Sequence, residues 1–125
     1  MRKCFLFLIM AALLVFPSFA SAQGPIVIES VSVELWPEYD KADMLVINYI
    51  MLSKDTDLPA QLDVRIPADA VLHTVAVGSA DGVSDQGIDC KAEKNCTTKK
   101  DGDWLAVSIT ATGPAVQLEY YDPGL

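Results

Sequence analysis

The sequence predicts an all-β domain, an immunoglobulin-like β-sandwich of six or seven short strands following a cleaved export signal. Three observations lead there. Apolar and polar side chains alternate with a period of two along most of the chain beyond residue 27. Clusters of Pro, Gly, Asp and Ser punctuate those runs. No eleven-residue window beyond position 22 carries the apolar stripe of a helix.

The first 22 residues fall into three zones. Arg2 and Lys3 are positive, Cys4 to Phe16 is an apolar run of thirteen residues, and Ala20-Ser21-Ala22 offers small side chains after Pro17-Ser18. This is the pattern of a secretory signal peptide cut between Ala22 and Gln23. The rival reading, a membrane anchor, needs roughly 20 apolar residues. Cys4 precedes the run, whereas a lipid-bearing cysteine follows it. Losing Arg2 and Lys3 leaves seven basic against seventeen acidic residues, so the mature charge is −10. Such a charge disfavours nucleic acid and anionic lipid as partners, since both repel it. No later stretch approaches membrane-spanning length, and a soluble extracytoplasmic protein is expected.

The elements follow in order. Val31, Val33 and Leu35 share one face, with Ser30, Ser32 and Glu34 on the other. Trp36-Pro37 ends this strand because proline cannot donate to the ladder. Leu45, Ile47, Tyr49 and Met51 alternate with Met44, Val46, Asn48 and Ile50; two apolar faces suit a central, covered strand. Lys54-Asp55-Thr56-Asp57 and Leu58-Pro59 break the chain before Leu62, Val64 and Ile66. After Pro67-Ala68-Asp69, Val71, Val75 and Val77 fall in phase with His73 among them. Ser79-Ala80-Asp81-Gly82 reads as a turn. Residues 83–100 are polar and are expected to be a long loop or ragged edge hairpin. Asp101-Gly102-Asp103 is a tight turn suited to a hairpin. Leu105, Val107 and Ile109 and then Val116, Leu118 and Tyr120 complete the pattern. Each strand is expected to bury its apolar face against a second sheet.

Cys90 and Cys96 survive cleavage, and export places them where disulfides form. One local bridge is expected, closing a loop so short that it adds only about 2 kcal/mol. A redox pair prefers Cys-x-x-Cys spacing, and zinc needs more ligands than two cysteines and the distant His73.

Several stretches resemble a group of exported bacterial envelope proteins. They are Ser32-Val33-Glu34-Leu35-Trp36-Pro37-Glu38-Tyr39-Asp40, Met44-Leu45-Val46-Ile47, Leu58-Pro59-Ala60, Arg65-Ile66-Pro67 and Leu118-Glu119-Tyr120-Tyr121-Asp122-Pro123. Those proteins carry an N-terminal β-sandwich and have no assigned activity. The likeness spans roughly residues 28 to 123. It implies an envelope location and a sandwich fold, no catalytic residues, and further chain after the last motif. Residues 23–125 are therefore either a whole domain with a short tail or a domain cut at its C-terminal end.

Four places invite a functional reading. In the loop 36–43, Trp36 and Tyr39 with Glu38, Asp40 and Asp43 have the composition of a sugar-stacking platform or a calcium site. The plainer reading is a solvated loop whose Trp36 caps the core. Asp81, Asp85 and Asp89 recur every four residues, either sharing a cation or lending ordinary surface acidity. His73, the single histidine, lacks a recognisable nucleophile turn. Asn95-Cys96-Thr97 fits a glycosylation acceptor, with a bridged cysteine in its middle. At Tyr120-Tyr121 successive side chains must point to opposite faces. Tyr120 is assigned to the core and Tyr121 to the exterior, either as a contact point or as a cover for a neighbouring strand. The leading expectation is a non-catalytic module that works through contacts with another envelope or secreted protein and needs no cofactor. The alternative is a carbohydrate-binding module that binds glycan, with or without calcium. A small hydrolase is the remote third.

Overall fold

A computed structural model describes residues 23–125; the signal-like segment, including Ala22 at the expected cleavage point, lies outside the described residues. Eight strands form: β1 Ile28–Trp36, β2 Met44–Leu52, β3 Ala60–Pro67, β4 Val71–Ser79, β5 Gly82–Ser84, β6 Cys96–Asp101, β7 Trp104–Ala111 and β8 Ala115–Asp122. They make an antiparallel β-sandwich, with a five-stranded sheet in the order β1-β2-β8-β4-β5 facing a three-stranded sheet in the order β3-β7-β6. The chain changes sheet between β2 and β3, β3 and β4, β5 and β6, and β7 and β8.

The two-residue period explains the core. Val46, Ile50 and Leu52 of β2, Val116 and Leu118 of β8, and Val75 and Val77 of β4 line the inner face of the larger sheet. Leu62 and Ile66 of β3 and Val107 and Ile109 of β7 meet them from the smaller sheet. Ile66, Val107, Ile109 and Leu118 have no exposed surface. Fully burying such a side chain contributes about 1.5–3 kcal/mol. Packing is close at the end of the sandwich where Gly113 lies against the carbonyl oxygen of Gly78, leaving no room for a Cβ.

Four expectations need correction. The strands number eight among the described residues, not six or seven, because the polar stretch 83–100 contributes to β5 and β6; as the edge-hairpin alternative expected, Cys96–Lys100 lies in β6 at the edge of the smaller sheet and pairs with β7 across the Asp101-Gly102-Asp103 turn. Gly102 takes the left-handed conformation this turn requires, with φ +61°. The phase of Val71 with Val75 and Val77 is broken by a register shift between Leu72 and Thr74. Leu72 therefore faces the core while Val71 stands exposed. Tyr121 does point to the outer face, opposite Tyr120, but it is only 4% exposed. Finally, Val31, Val33 and Leu35 do not meet a second sheet. Their partners Ile50, Asn48 and Val46 place them on the inner side of β1, yet all nine residues of β1 are exposed. The larger sheet overhangs the smaller one along this strand.

Candidate functional site

Local chemistry brings the N-terminal segment across one end of the sandwich before β1 begins. Thr56, buried in the β2–β3 turn, accepts from the Val27 N–H at 3.2 Å and donates to the Val27 carbonyl at 3.3 Å. Ser53 N–H bonds the same carbonyl at 2.7 Å. Upstream, the Gln23 side-chain amide accepts from Gln61 N–H at 3.1 Å and donates to Gln61 O at 3.3 Å. These two bonds on β3 reproduce one rung of strand pairing with a side chain. β1 is thereby delivered to the edge of the larger sheet, where among the described residues only β2 pairs with it.

The result is an apolar row that the described residues leave uncovered. Ile28, whose partner is Leu52 after a bulge at the start of the strand, joins Val31, Val33 and Leu35 on one face. These four side chains are 47–57% exposed. Together they form a patch on the order of a few hundred Å², the size at which surface patches on monomers are often functional.

The residues proposed from the 36–43 loop divide into two groups. Trp36 and Tyr39 are both exposed and pack edge to face, with ring centroids 5.5 Å apart and planes at 81°. Trp36 Nε1 donates to Glu34 at 3.1 Å. The rings therefore offer separate faces and do not form one flat platform, and Trp36 does not cap the core. Glu38 occupies the turn in a left-handed conformation, and Asp43 is half-buried just before β2. Asp40 and Lys41 turn instead toward Tyr121. The Lys41 ammonium lies 3.7 Å from the centre of the Tyr121 ring, and the His73 ring meets it edge-on at 5.4 Å. Leu45 and Ile47 pack with Tyr121 on this outer face. The adjacent Asp40 carboxylate, an acceptor for the phenolic hydrogen, and then burial push the Tyr121 pKa up to about 12. Tyr121 thus pins the loop to the sheet and is not a free contact point. His73 sits in the β4 irregularity and helps to cover it.

Between β4 and the cystine loop lies an open groove of about 560 Å³, which His73 also lines. Leu72, Val75, Ile88 and Leu105 supply its apolar wall, and Asp85 and Asp89 its acidic rim. Cys90 and Cys96 are bridged, with Cα atoms 4.5 Å apart. The Asp89 carboxylate accepts from the Lys91 and Ala92 N–H groups at 2.9 and 3.0 Å. These bonds, with Ala92 contributing most, hold its pKa below the ordinary value. Asp81 lies apart, in the turn between β4 and β5. Among the described residues no three His, Cys, Asp or Glu side chains are placed to hold a metal ion. Asn95 has its side-chain amide on Gly87 O at 2.9 Å, and the bridged Cys96 beside it is buried.

Sequence reasoning missed the overhang, the Thr56–Val27 contact and the Gln23 rung. Alternation marks the apolar face of β1 but carries no information about what lies opposite. No helix among the described residues is long and apolar enough to cross a membrane. No family model, curated protein or solved structure matches this chain.

Proposed function

We propose that the protein is a non-catalytic, extracytoplasmic β-sandwich module of the cell envelope that acts by contacting another protein. The carrying observation is β1, an edge strand with four aliphatic side chains about half exposed on a face that no strand among the described residues covers. Isolated exposed aliphatics are ordinary, but a contiguous row on an edge strand marks an interaction surface. The signal-like residues 1–22, the disulfide and the likeness to exported envelope proteins support the location.

A photo-crosslinking residue at Val33 tests the reading in cells that make the protein, with Lys99 on β6 as the control position. A protein adduct specific to position 33 is expected. Crosslinks equal at both positions, or none at 33, count against it.

A second reading has its own observation: Trp36 and Tyr39 expose two ring faces beside Glu34 and Glu38. Carbohydrate binding there requires glycan-array signals that vanish on Trp36→Ala and Tyr39→Ala in folded protein. An array that stays blank with and without calcium removes it.

A further inference from the structure

The smaller sheet is one strand short on the side of β1. Strands within a sheet lie about 4.8 Å apart and facing sheets about 10 Å apart. A single extended segment laid beside β3 would therefore stand opposite β1 and cover Val31, Val33 and Leu35. A strand added instead to the outer edge of β1 would lengthen the overhang and leave those side chains uncovered. The edge of β3 is suited to the first arrangement. Its outward backbone groups at Gln61 are already paired in strand fashion by the Gln23 amide. Alternation along the strand puts the N–H and C=O of Asp63 and Arg65 on that same edge.

Charge indicates the kind of segment. β1 carries no basic residue; its Glu34, opposite Ile47, points to the outer face, so the charge beside an added strand is that of β3. On β3, Arg65 is matched by Asp101 at 3.3 Å, while among the described residues Asp63 meets only the Ser108 hydroxyl at 2.6 Å. The chain as a whole is strongly acidic, with a net charge of −8. A second copy would bring like charge to this cleft, whereas a basic segment brings the opposite charge.

We propose that the cleft between the inner face of β1 and the free edge of β3 binds an extended segment of another protein. That segment carries aliphatic side chains at alternate positions, facing β1, and basic side chains between them, facing outward beside Asp63. The proposal rests on the protein-contact reading and specifies its mode, β-strand addition. Backbone bonds to β3 supply affinity, and alternate side chains supply register.

The test uses the protein recovered after expression with its own leader. Three labelled peptides are titrated against it by fluorescence anisotropy: one alternating valine and lysine, its valine–glutamate counterpart, and a shuffled version of the first without alternation. The lysine peptide is expected to bind at least about tenfold more tightly than either control. It should slow amide hydrogen exchange at Asp63 and Arg65. Val33→Lys, at an exposed position, should leave thermal unfolding unchanged and weaken binding at least about tenfold. Asp63→Lys should reverse the preference toward the glutamate peptide.

Equal binding of alternating and shuffled peptides, binding indifferent to Val33→Lys, or protection that appears on β1 alone overturns the proposal. So does self-association in sedimentation that Val33→Lys abolishes, which would assign the cleft to a second copy. Crosslinking at Val33 without any preference for the alternating peptide defeats this mode while leaving the protein-contact reading standing.

Discussion

The delivery of β1 to the sheet edge depends on one buried hydroxyl, and Thr56→Val isolates it. Valine has nearly the shape of threonine, so the packing of the β2–β3 turn is retained while both bonds to Val27 are lost. The Val27 carbonyl keeps the Ser53 N–H at 2.7 Å, so the acceptor remains satisfied. Among the described residues the Val27 N–H has only Thr56, at 3.2 Å, and loses that partner. A buried donor left without a bond costs about 1–3 kcal/mol. Val27 itself is 47% exposed, so water reaches part of the site and the low end, about 1 kcal/mol, applies. For a domain of this size that lowers Tm by about 4–8 °C. Urea and thermal unfolding followed by circular dichroism read the change, and amide hydrogen exchange at Val27 reports its location. Thr56→Ser keeps the hydroxyl and should lose much less. If Thr56→Val unfolds at the wild-type temperature, or if Thr56→Ser costs as much as Thr56→Val, the hydroxyl does not hold the segment as described.

Three further outcomes follow from the same packing. The fold holds the Tyr121 phenol protonated to about 12, against an ordinary value of 10.0. Its contribution to stability is therefore complete below pH 10 and is lost as pH rises from 10 through 12. Tyrosinate absorbance at 295 nm should show two rings ionising above the ordinary range, Tyr120, raised chiefly by burial, and Tyr121; Tyr121→Phe should remove the transition near 12, and persistence of that transition in the variant refutes the assignment. Gly113→Ala forces a Cβ into the Gly78 carbonyl oxygen and should cost about 1–3 kcal/mol by overpacking, whereas a wild-type urea midpoint would mean that the β7–β8 turn moves freely away from β4. Replacing Cys90 and Cys96 together with alanine opens a loop with a sequence separation of 6 and should cost about 2 kcal/mol. The β6–β7 pairing should survive, so loss of all sheet signal in that variant would show that the bridge organises the domain and does not merely brace its loop.

Much of the architecture was legible before any coordinates, because strand periodicity is a local property. The alternation through Leu45–Met51, Leu62–Ile66 and Leu105–Ile109 and the turns at Asp101-Gly102-Asp103 and Gly113-Pro114 report their own backbone. The Cys90–Cys96 spacing likewise fits a bridge within one loop. The disagreements arise where one residue or one layer changes the reading. The irregularity at His73 shifts the phase of β4, and nothing in Val71-Leu72-His73-Thr74-Val75 signals a shift by itself. The polar stretch containing β6 became a strand because β7 provides a pairing edge, which composition does not record.

The sequence by itself determined export-like character, strong acidity, an all-β chain and the faces of most strands, since each depends on residues near one another in the chain. Tertiary structure decided which of those faces is covered. Tyr121 and Val33 each read as one side of a strand. The first is buried by Asp40, Lys41 and His73 folding over it, and the second is open because no strand of the smaller sheet reaches across from it. Burial is set by what the rest of the chain places opposite a side chain, and that depends on how many strands each layer receives.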